Sequence, residues 1–184
     1  MDDIPVLETE RLVLRGHRET DFESMAALWS YPEVVRFTAG RPLSREESWR
    51  RLVFYRGMWS LMGFGYFAVE DKATGDHIGD AGVMEGKRQI EPSLAGTLEA
   101  GWIFAPAWHG RGYAAEAMSA VLAWCERRFP AMTVTCIIDP ENGPSLALAH
   151  KLGFRNAGPA VYQDKDIRMM RIAAPESAAI PNAS

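Results

Sequence analysis

The chain has 184 residues, of which 47% are hydrophobic and 24% charged, a composition typical of one globular domain. Its formal net charge of −4 gives no electrostatic case for nucleic-acid binding, and no apolar run approaches the roughly 18 residues of a membrane helix. The first residues contain no basic region followed by an apolar core, so we expect no signal peptide and a cytoplasmic protein.

The two cysteines, Cys125 and Cys136, fall on a predicted helix and a predicted strand. We expect both to be buried, reduced thiols, which are usual in the cytoplasm. A disulfide and a catalytic thiol are the alternatives.

The N-terminal part of the chain predicts a strand and then a helix. Apolar and charged residues alternate over residues 7–15, which indicates a strand with one buried face. Asp21 is positioned to cap a helix that runs to about Ser30, and Pro32 is expected to end it.

A capping box, Ser44 with Glu47, starts a second helix that we expect to end near Gly57 or soon after. Periodicity and breaker residues predict the remaining elements, in chain order: strands 64–70 and 77–83 in a hairpin, a loop over 85–96, a strand over 97–104, a helix over 114–129, a buried strand over 133–138, a helix over 144–152, and strands 160–162 and 168–172 in a last hairpin. A strand–helix–strand unit implies that strands 97–104 and 133–138 are parallel. We expect a single domain over residues 1–172 and a disordered tail over 173–184.

The most informative stretch connects the strand at 97–104 to the next helix. Pro106 breaks the strand, and Gly110 and Gly112 then allow the backbone to approach a ligand closely. The helix that begins at once leaves several backbone N–H groups without internal partners. Together these features predict a site for an anion, most naturally a phosphate.

This turn resembles the pyrophosphate-binding signature of the GCN5-related N-acetyltransferase (GNAT) family. The signature has Gln or Arg, two residues, Gly, one residue, and then Gly or Ala. Gly112 and Ala114 match it, whereas His109 stands at the Gln or Arg position. The stretch WHGRGYAAEA, with Glu99 two residues before the Gly101-Trp102 pair, resembles the RimJ/RimL branch of ribosomal-protein N-terminal acetyltransferases.

A second stretch resembles the segment with which the family contacts coenzyme A. The pattern is Asn, a small polar residue three positions later, and a helix that ends in Lys-x-Gly-Phe. Its matches here are Asn142, Ser145, Lys151, Gly153 and Phe154. The resemblance covers residues 7–172 and implies an α/β fold, a twisted mixed sheet of six or seven strands flanked by helices.

The resemblance also implies the activity, which is transfer of the acetyl group from acetyl-CoA to a primary amine in a ternary complex. Glu99 is the candidate general base, and Ser145 is the candidate that protonates or hydrogen-bonds the sulfur of coenzyme A. Asn142 is expected to hydrogen-bond the pantetheine arm, and an Asn that only stabilises a turn is the alternative. The backbone of Ile103, Phe104 and Ala105 is expected to pair with pantetheine. The pyrophosphate is expected on the turn and the following helix start: His109, Gly110, Arg111, Gly112, Tyr113, Ala114 and Ala115.

Several residues have alternative interpretations. Glu99 could instead anchor a loop or bind the substrate ammonium without taking its proton, and His109 is a rival base by its ordinary pKa. Ser145 could simply cap its helix, because the Tyr that many relatives use as the acid is replaced here by Ala149. Residues 34–43 often overhang the acceptor site in this family, and plain packing is the alternative.

The acceptor is either the N-terminus of a protein or a small amine. An acyl-CoA-binding sensor without catalysis is the alternative function. No Cys or His pattern predicts a metal site, and we expect neither a nucleic-acid nor a membrane partner. A homodimer is an open possibility, because relatives often form dimers.

Overall fold

The computed structural model describes residues 4–174, so the predicted disordered tail lies outside the described residues except for Ala173 and Ala174. The strands are β1 (Leu7–Glu8), β2 (Leu12–Arg15), β3 (Tyr66–Asp71), β4 (His77–Met84), β5 (Leu98–Phe104), β6 (Val134–Ile138), β7 (Arg155–Tyr162) and β8 (Lys165–Ile172). The helices are α1 (Phe22–Leu28), α2 (Pro32–Val35), α3 (Arg45–Met62), α4 (Tyr113–Arg128) and α5 (Gly143–Lys151).

The strands form one sheet in the order β1-β2-β3-β4-β5-β6-β8-β7, which confirms the mixed α/β fold. The described sheet has eight strands, not six or seven, because residues 7–15 divide into two strands that pair with each other. β5 and β6 are parallel, as predicted. Their register contains only two matched pairs, Leu98 with Val134 and Glu99 with Thr135, so the two strands separate beyond Glu99.

Asp21 is the N-cap residue of α1, as predicted, but its side chain makes no capping hydrogen bond to that helix. Its carboxylate accepts hydrogen bonds from Nη1 and Nη2 of Arg15, both at 2.8 Å, and from the backbone N of Arg18 at 2.7 Å. A buried guanidinium needs a paired carboxylate, so this ion pair takes precedence over a cap. Pro32 does not end α1 but is the first residue of α2, a position where its missing N–H costs nothing.

The capping box of α3 is confirmed. Ser44 Oγ accepts from the backbone N of Glu47 at 3.2 Å, and the Glu47 carboxylate accepts from the backbone N of Ser44 at 2.8 Å. The helix passes through Gly57 and continues to Met62. Met58 and Trp59, beyond the glycine, are buried in the core, and this burial outweighs the low helix propensity of one glycine.

Helices pack on both faces of the sheet. Phe67 and Leu98 belong to a core cluster with Met118 and other residues of α4. Tyr66, the neighbour of Phe67 on β3, belongs to a second cluster with residues of α1, α2 and α3, including Leu52. Neighbouring strand residues face opposite sides of a sheet, so the two clusters lie on its two faces.

The remaining predicted elements are present with shifted bounds. The β3–β4 hairpin is confirmed, and the last hairpin is longer than expected because β7 begins at Arg155. Cys125 and Cys136 are buried and free, as predicted. Within residues 4–174, no helix has both the length and the apolar character that crossing a bilayer requires.

Candidate active site

The predicted phosphate turn lies between β5 and α4. Gly110 and Gly112 have left-handed backbone conformations, with φ of 71° and 82°. A Cβ built on Gly110 would meet no atom within 4 Å, and one on Gly112 would lie 3.5 Å from Nη2 of Arg11. The glycines therefore leave the backbone bare on an open surface, where a ligand can approach it.

The first turn of α4 has free backbone amides. Its first helical hydrogen bond runs from the backbone N of Glu116 to the carbonyl oxygen of Gly112 at 3.0 Å, and no side chain caps this helix end. The N–H groups of residues 113–115 therefore have no partner within the helix, and they lie at the positive end of its dipole. This helix end fits a phosphate group.

His109 stabilises the turn with a hydrogen bond to the end of β5. Its Nε2 lies 2.8 Å from the carbonyl oxygen of Phe104. A carbonyl oxygen only accepts hydrogen bonds, so this nitrogen carries a proton and donates it. The contact connects the turn to the end of β5, and it makes Nε2 unavailable as a base.

Of the three residues predicted to pair with pantetheine, only Phe104 lies on the open edge of β5. The backbone N of Ala105 donates to the carbonyl oxygen of Ile78 at 2.9 Å. Because antiparallel strands bond through alternate residues, Ile103 bonds to its partner Asp80 on β4 in the same way. The prediction is therefore wrong for the backbones of Ile103 and Ala105, and Phe104 is the member of the trio on the open edge.

A cleft of ≈ 790 Å³ opens beside β5 and is lined by residues of α3, β5, β6 and the β7–β8 hairpin. It brings together four of the predicted site residues: Glu99, Ile103, Asn142 and Ser145. The phosphate turn is not part of its lining, so the candidate site has two parts, connected by β5.

Residues 34–43 border the same cleft. Phe37, which is half-buried, and Leu43 are among the lining residues. Arg41 is exposed and pairs with Glu47 through Nη1 at 3.0 Å. Residues 34–43 therefore form part of the wall of the cleft, whereas Arg41 lies exposed outside the lining.

Glu99 is buried, with 5% of its surface exposed, and Arg88 holds its carboxylate. Nε of Arg88 lies 2.8 Å from both carboxylate oxygens, and Nη1 donates to Oη of Tyr162 at 2.8 Å. Burial lowers the pKa of Arg88, but the hydrogen bond and charge of Glu99 outweigh it and raise that pKa. Arg88 lies in the loop between β4 and β5, so Glu99 does anchor this loop.

Asn142, rather than Ser145, caps α5. Its side-chain oxygen accepts from the backbone N of Ser145 at 3.2 Å, so the alternative that Ser145 is the cap is wrong. Both residues line the cleft. Ala149, where many relatives carry a Tyr, has no exposed surface and belongs to the core.

The lining of the cleft includes polar residues that were not predicted, among them Arg51, Tyr55, Tyr66 and Arg88. The rings of Tyr55 and Tyr66 stack with their centroids 4.7 Å apart. Burial is the main reason that the pKa of Tyr66 is raised well above its usual range. In the sequence the tyrosines fit a helix face and a strand, and the arginines resemble ordinary surface charges, so no local pattern identifies them.

A buried charged cluster connects the loop after β2 to α1 and β4. Nε2 of His17 and Nε2 of His77 lie 2.7 Å and 3.0 Å from the same oxygen of Asp80. Ser24 Oγ donates its proton to the carbonyl oxygen of Asp21, so it accepts from Nδ1 of His77. Both nitrogens of His77 therefore carry protons. The sequence does not indicate this cluster, because two of its members are 63 positions apart.

Comparison with known proteins identifies the family. Residues 11–155 match the profile of the acetyltransferase (GNAT) domain. The chain therefore belongs to the GNAT acetyltransferase family. It is 31% identical to the Bacillus subtilis (strain 168) protein YkkB, with 86% of this chain and 95% of YkkB covered. A solved GNAT-family acetyltransferase from Bordetella pertussis is 32% identical, with a TM-score of 0.81 and coverage of 92% of this chain and 99% of that one.

The fold of this GNAT acetyltransferase is also that of RimL, a ribosomal L7/L12 alpha-N-protein acetyltransferase solved in complex with coenzyme A. The TM-score is 0.75 at 15% identity, and 92% of this chain and 98% of RimL are covered. At this identity the similarity establishes the fold alone. Family membership makes this chain an acyltransferase enzyme.

Proposed function

We propose that this GNAT enzyme transfers the acetyl group of acetyl-CoA directly to a primary amine in a ternary complex. The observation that carries the proposal is the uncapped first turn of α4, preceded by two left-handed glycines and set near a cleft that contains a buried carboxylate. A helix end of this kind suits a pyrophosphate, and a cleft with a few convergent polar groups suits a small substrate.

The residues of the turn fit the phosphates of acetyl-CoA. The amides of residues 113–115 would hold the pyrophosphate. The guanidinium groups of Arg11 and Arg111 lie 4.2 Å and 5.1 Å from the ring centroid of Tyr113 and add positive charge beside these amides. When bound, acetyl-CoA supplies a thioester carbonyl for attack by the amine.

Glu99 is assigned the role of binding the ammonium group and accepting its proton. An ammonium must lose a proton before it can attack, and a carboxylate in the cleft both attracts the cation and offers a proton acceptor through a water molecule. Arg88 binds both carboxylate oxygens and so fixes their orientation. The loop between β4 and β5 thus positions the residue that receives the substrate.

Ser145 is assigned the role of donating a hydrogen bond to the sulfur of coenzyme A. A hydroxyl that donates to the leaving thiolate stabilises the charge that develops on it. The hydrogen bond from Ser145 N to Asn142 fixes the first turn of α5, and Ser145 is one of the residues that line the cleft.

Two classes of acceptor suit this chemistry. The RimJ/RimL-like motifs support the N-terminus of a protein, and the alternative is a small amine. We assign the reaction to the cytoplasm, where the two free thiols would stay reduced.

The test is release of coenzyme A from acetyl-CoA with a panel of primary amines, for the wild type and for Glu99→Gln. We expect turnover with at least one amine, and a fall in kcat of about 10²-fold or more in Glu99→Gln, the range that general-base catalysis supplies. Its affinity for acetyl-CoA, measured by calorimetry, should be unchanged.

Glu85→Gln is the matched control, because Glu85 lies in the same loop but pairs with Lys87 outside the cleft lining. It should keep the wild-type kcat. Unchanged turnover in Glu99→Gln would remove Glu99 from the mechanism. Failure of the wild type to acetylate any amine would favour the acyl-CoA sensor instead.

A further inference from the structure

One arginine of the cleft has no acidic partner. Four arginines line the cleft, and three of them form ion pairs: Arg36 with Glu141 at 3.6 Å, Arg50 with Glu46, and Arg88 with Glu99 at 2.8 Å. Arg51 forms no ion pair with any residue in the described range 4–174. The cleft therefore contains a guanidinium whose charge the chain itself does not balance there.

Arg51 is nevertheless held in a defined orientation. Its guanidinium lies over the ring of Trp29, 3.8 Å from the centroid, and its Nη1 lies 3.5 Å from Oη of Tyr55. Stacking on an aromatic face fixes the plane of the guanidinium and leaves its N–H donors along the edge. The group is therefore preorganised for a planar anion.

Two buried donors at this position lack acceptors. Nε of Arg51 and Nε1 of Trp29 are buried, and neither has a hydrogen-bond partner among the described residues. A buried donor without a partner is costly, and such a group in a native protein calls for an explanation. Both residues are among those that line the cleft, so the two unpartnered donors lie beside the space open to a ligand.

The phosphates of acetyl-CoA do not account for Arg51. The turn assigned to them is absent from the cleft lining, whereas Arg51 and Glu99 are both part of it. Burial is the main cause of the raised pKa of Tyr66, Glu99 raises this pKa further, and Arg51 lowers it. Arg51 and Glu99 therefore act on the same tyrosine, on the acceptor side of the site.

We infer that Arg51 binds a carboxylate of the acceptor, so that the acceptor is a small molecule with both a primary amine and a carboxylate, such as a free amino acid. The inference rests on the proposed acetyl transfer. Glu99, which also pairs with Arg88, accepts the ammonium through its carboxylate oxygens, and Arg51 binds the carboxylate at the other end of the zwitterion. The donor fork of arginine pairs with a carboxylate through two hydrogen bonds, whereas a polyamine would meet an unbalanced positive charge.

The experiment compares each amino acid with the amine that lacks only its carboxylate: phenylalanine with phenethylamine, tyrosine with tyramine, and lysine with cadaverine. Because the carboxylate also changes the pKa of the amine, kcat/KM is referred to the concentration of unprotonated amine. We expect the wild type to prefer the amino acid by about tenfold or more in at least one pair, the effect of one charged hydrogen-bonded contact.

Arg51→Met should reduce this preference to about one, and Arg51→Lys, which keeps the charge but not the fork, should retain part of it. Arg56→Met is the matched control, because Arg56 is an exposed arginine of α3 outside the cleft lining. It should keep the wild-type preference. Thermal melting checks that each variant is folded, and the comparison of pairs in the wild type does not depend on any variant.

The possible outcomes separate this inference from the proposed function. A preference that survives Arg51→Met, or equal use of amino acids and their decarboxylated amines by the wild type, would overturn the inference and leave acetyl transfer intact. If the enzyme acetylates a peptide N-terminus in preference to every amino acid and amine tested, the inference is likewise overturned while acetyl transfer stands. Transfer to no amine at all would overturn both.

Discussion

Arg11 and Glu116, 105 positions apart in the chain, form the contact that connects the N-terminal hairpin to the start of α4. Nε of Arg11 donates to the Glu116 carboxylate at 2.7 Å, and the backbone N of Arg11 donates to it at 2.9 Å. Nη1 of Arg11 also donates to the carbonyl oxygen of Arg111 at 3.0 Å. One side chain therefore holds the phosphate turn and the helix that follows it.

Arg11→Met should weaken acetyl-CoA binding severalfold, because the turn and the first residues of α4 lose a shared anchor. Calorimetric titration with acetyl-CoA measures the effect. Lys72→Met is the matched control, since Lys72 binds the same hairpin through the carbonyl oxygen of Thr9 at 2.7 Å but does not bond to α4. Wild-type affinity in Arg11→Met would mean that the turn is fixed without this contact.

Gly112→Ala should also weaken acetyl-CoA binding. An alanine in the left-handed conformation of Gly112 costs about 1–2 kcal/mol, and its methyl group would lie where the ligand approaches the backbone. We expect the dissociation constant to rise by about tenfold or more. Gly57→Ala, in the middle of α3, is the control and should leave binding unchanged while it stabilises the fold by about 0.5–1 kcal/mol.

The cluster of His77 and Asp80 predicts a stability that depends on pH. Burial lowers the pKa of His77, but the hydrogen bond and charge of Asp80 outweigh it and raise the pKa above its ordinary value. Burial raises the pKa of Asp80, but His17 and His77 hold it well below its usual range. A raised histidine pKa stabilises the folded state in full below about pH 6.5 and loses this contribution as pH rises through the raised pKa.

His77→Gln should therefore destabilise the protein more at about pH 6 than at about pH 9. Urea unfolding at the two pH values measures the difference in the free energy of unfolding. His150→Gln, an exposed histidine of α5, should show no such dependence. An equal loss of stability for His77→Gln at both pH values would contradict the assignment of His77 as an imidazolium.

The two cysteines should be inert in the folded protein. Burial raises the pKa of Cys125 to about 12, and burial, with the charge of Glu99, raises the pKa of Cys136 to about 12. Only the thiolate reacts, so a thiol reagent at about pH 8 should label neither residue in the native state and both in denaturant. Rapid labelling of the native protein would show that one of the thiols is accessible.

The phosphate turn was predictable because its signal is local. Its three features are adjacent in the sequence: the broken strand, the glycines at 110 and 112 and the immediate helix start. The glycines allow close approach to the backbone, and the helix start supplies free N–H groups. The capping box at Ser44 is local in the same sense. By contrast, Asp21 looked like a side-chain cap because its competing partner Arg15 is recognisable only once the two buried side chains are brought together.

The wall of the cleft was not predictable, because it depends on register and on distant pairs. The register between β4 and β5 decides which residues of β5 bond to β4 and which lie on its open edge. A shift of one position would place Ile103 on the open edge instead of Phe104. The contact between Arg88 and Glu99 joins a loop to a strand, and the loop has no pattern that marks Arg88. The chemistry of the acceptor therefore required the structure.

The measurement that tests the account most directly is calorimetric titration of the protein with acetyl-CoA, with coenzyme A, acetyl-pantetheine and adenosine as comparisons. We predict micromolar binding of acetyl-CoA and coenzyme A, and much weaker binding of acetyl-pantetheine and adenosine, because both lack the pyrophosphate that α4 is built to hold. No detectable binding of acetyl-CoA, or equal binding of acetyl-pantetheine, would contradict the assignment of the turn before α4 as the pyrophosphate site.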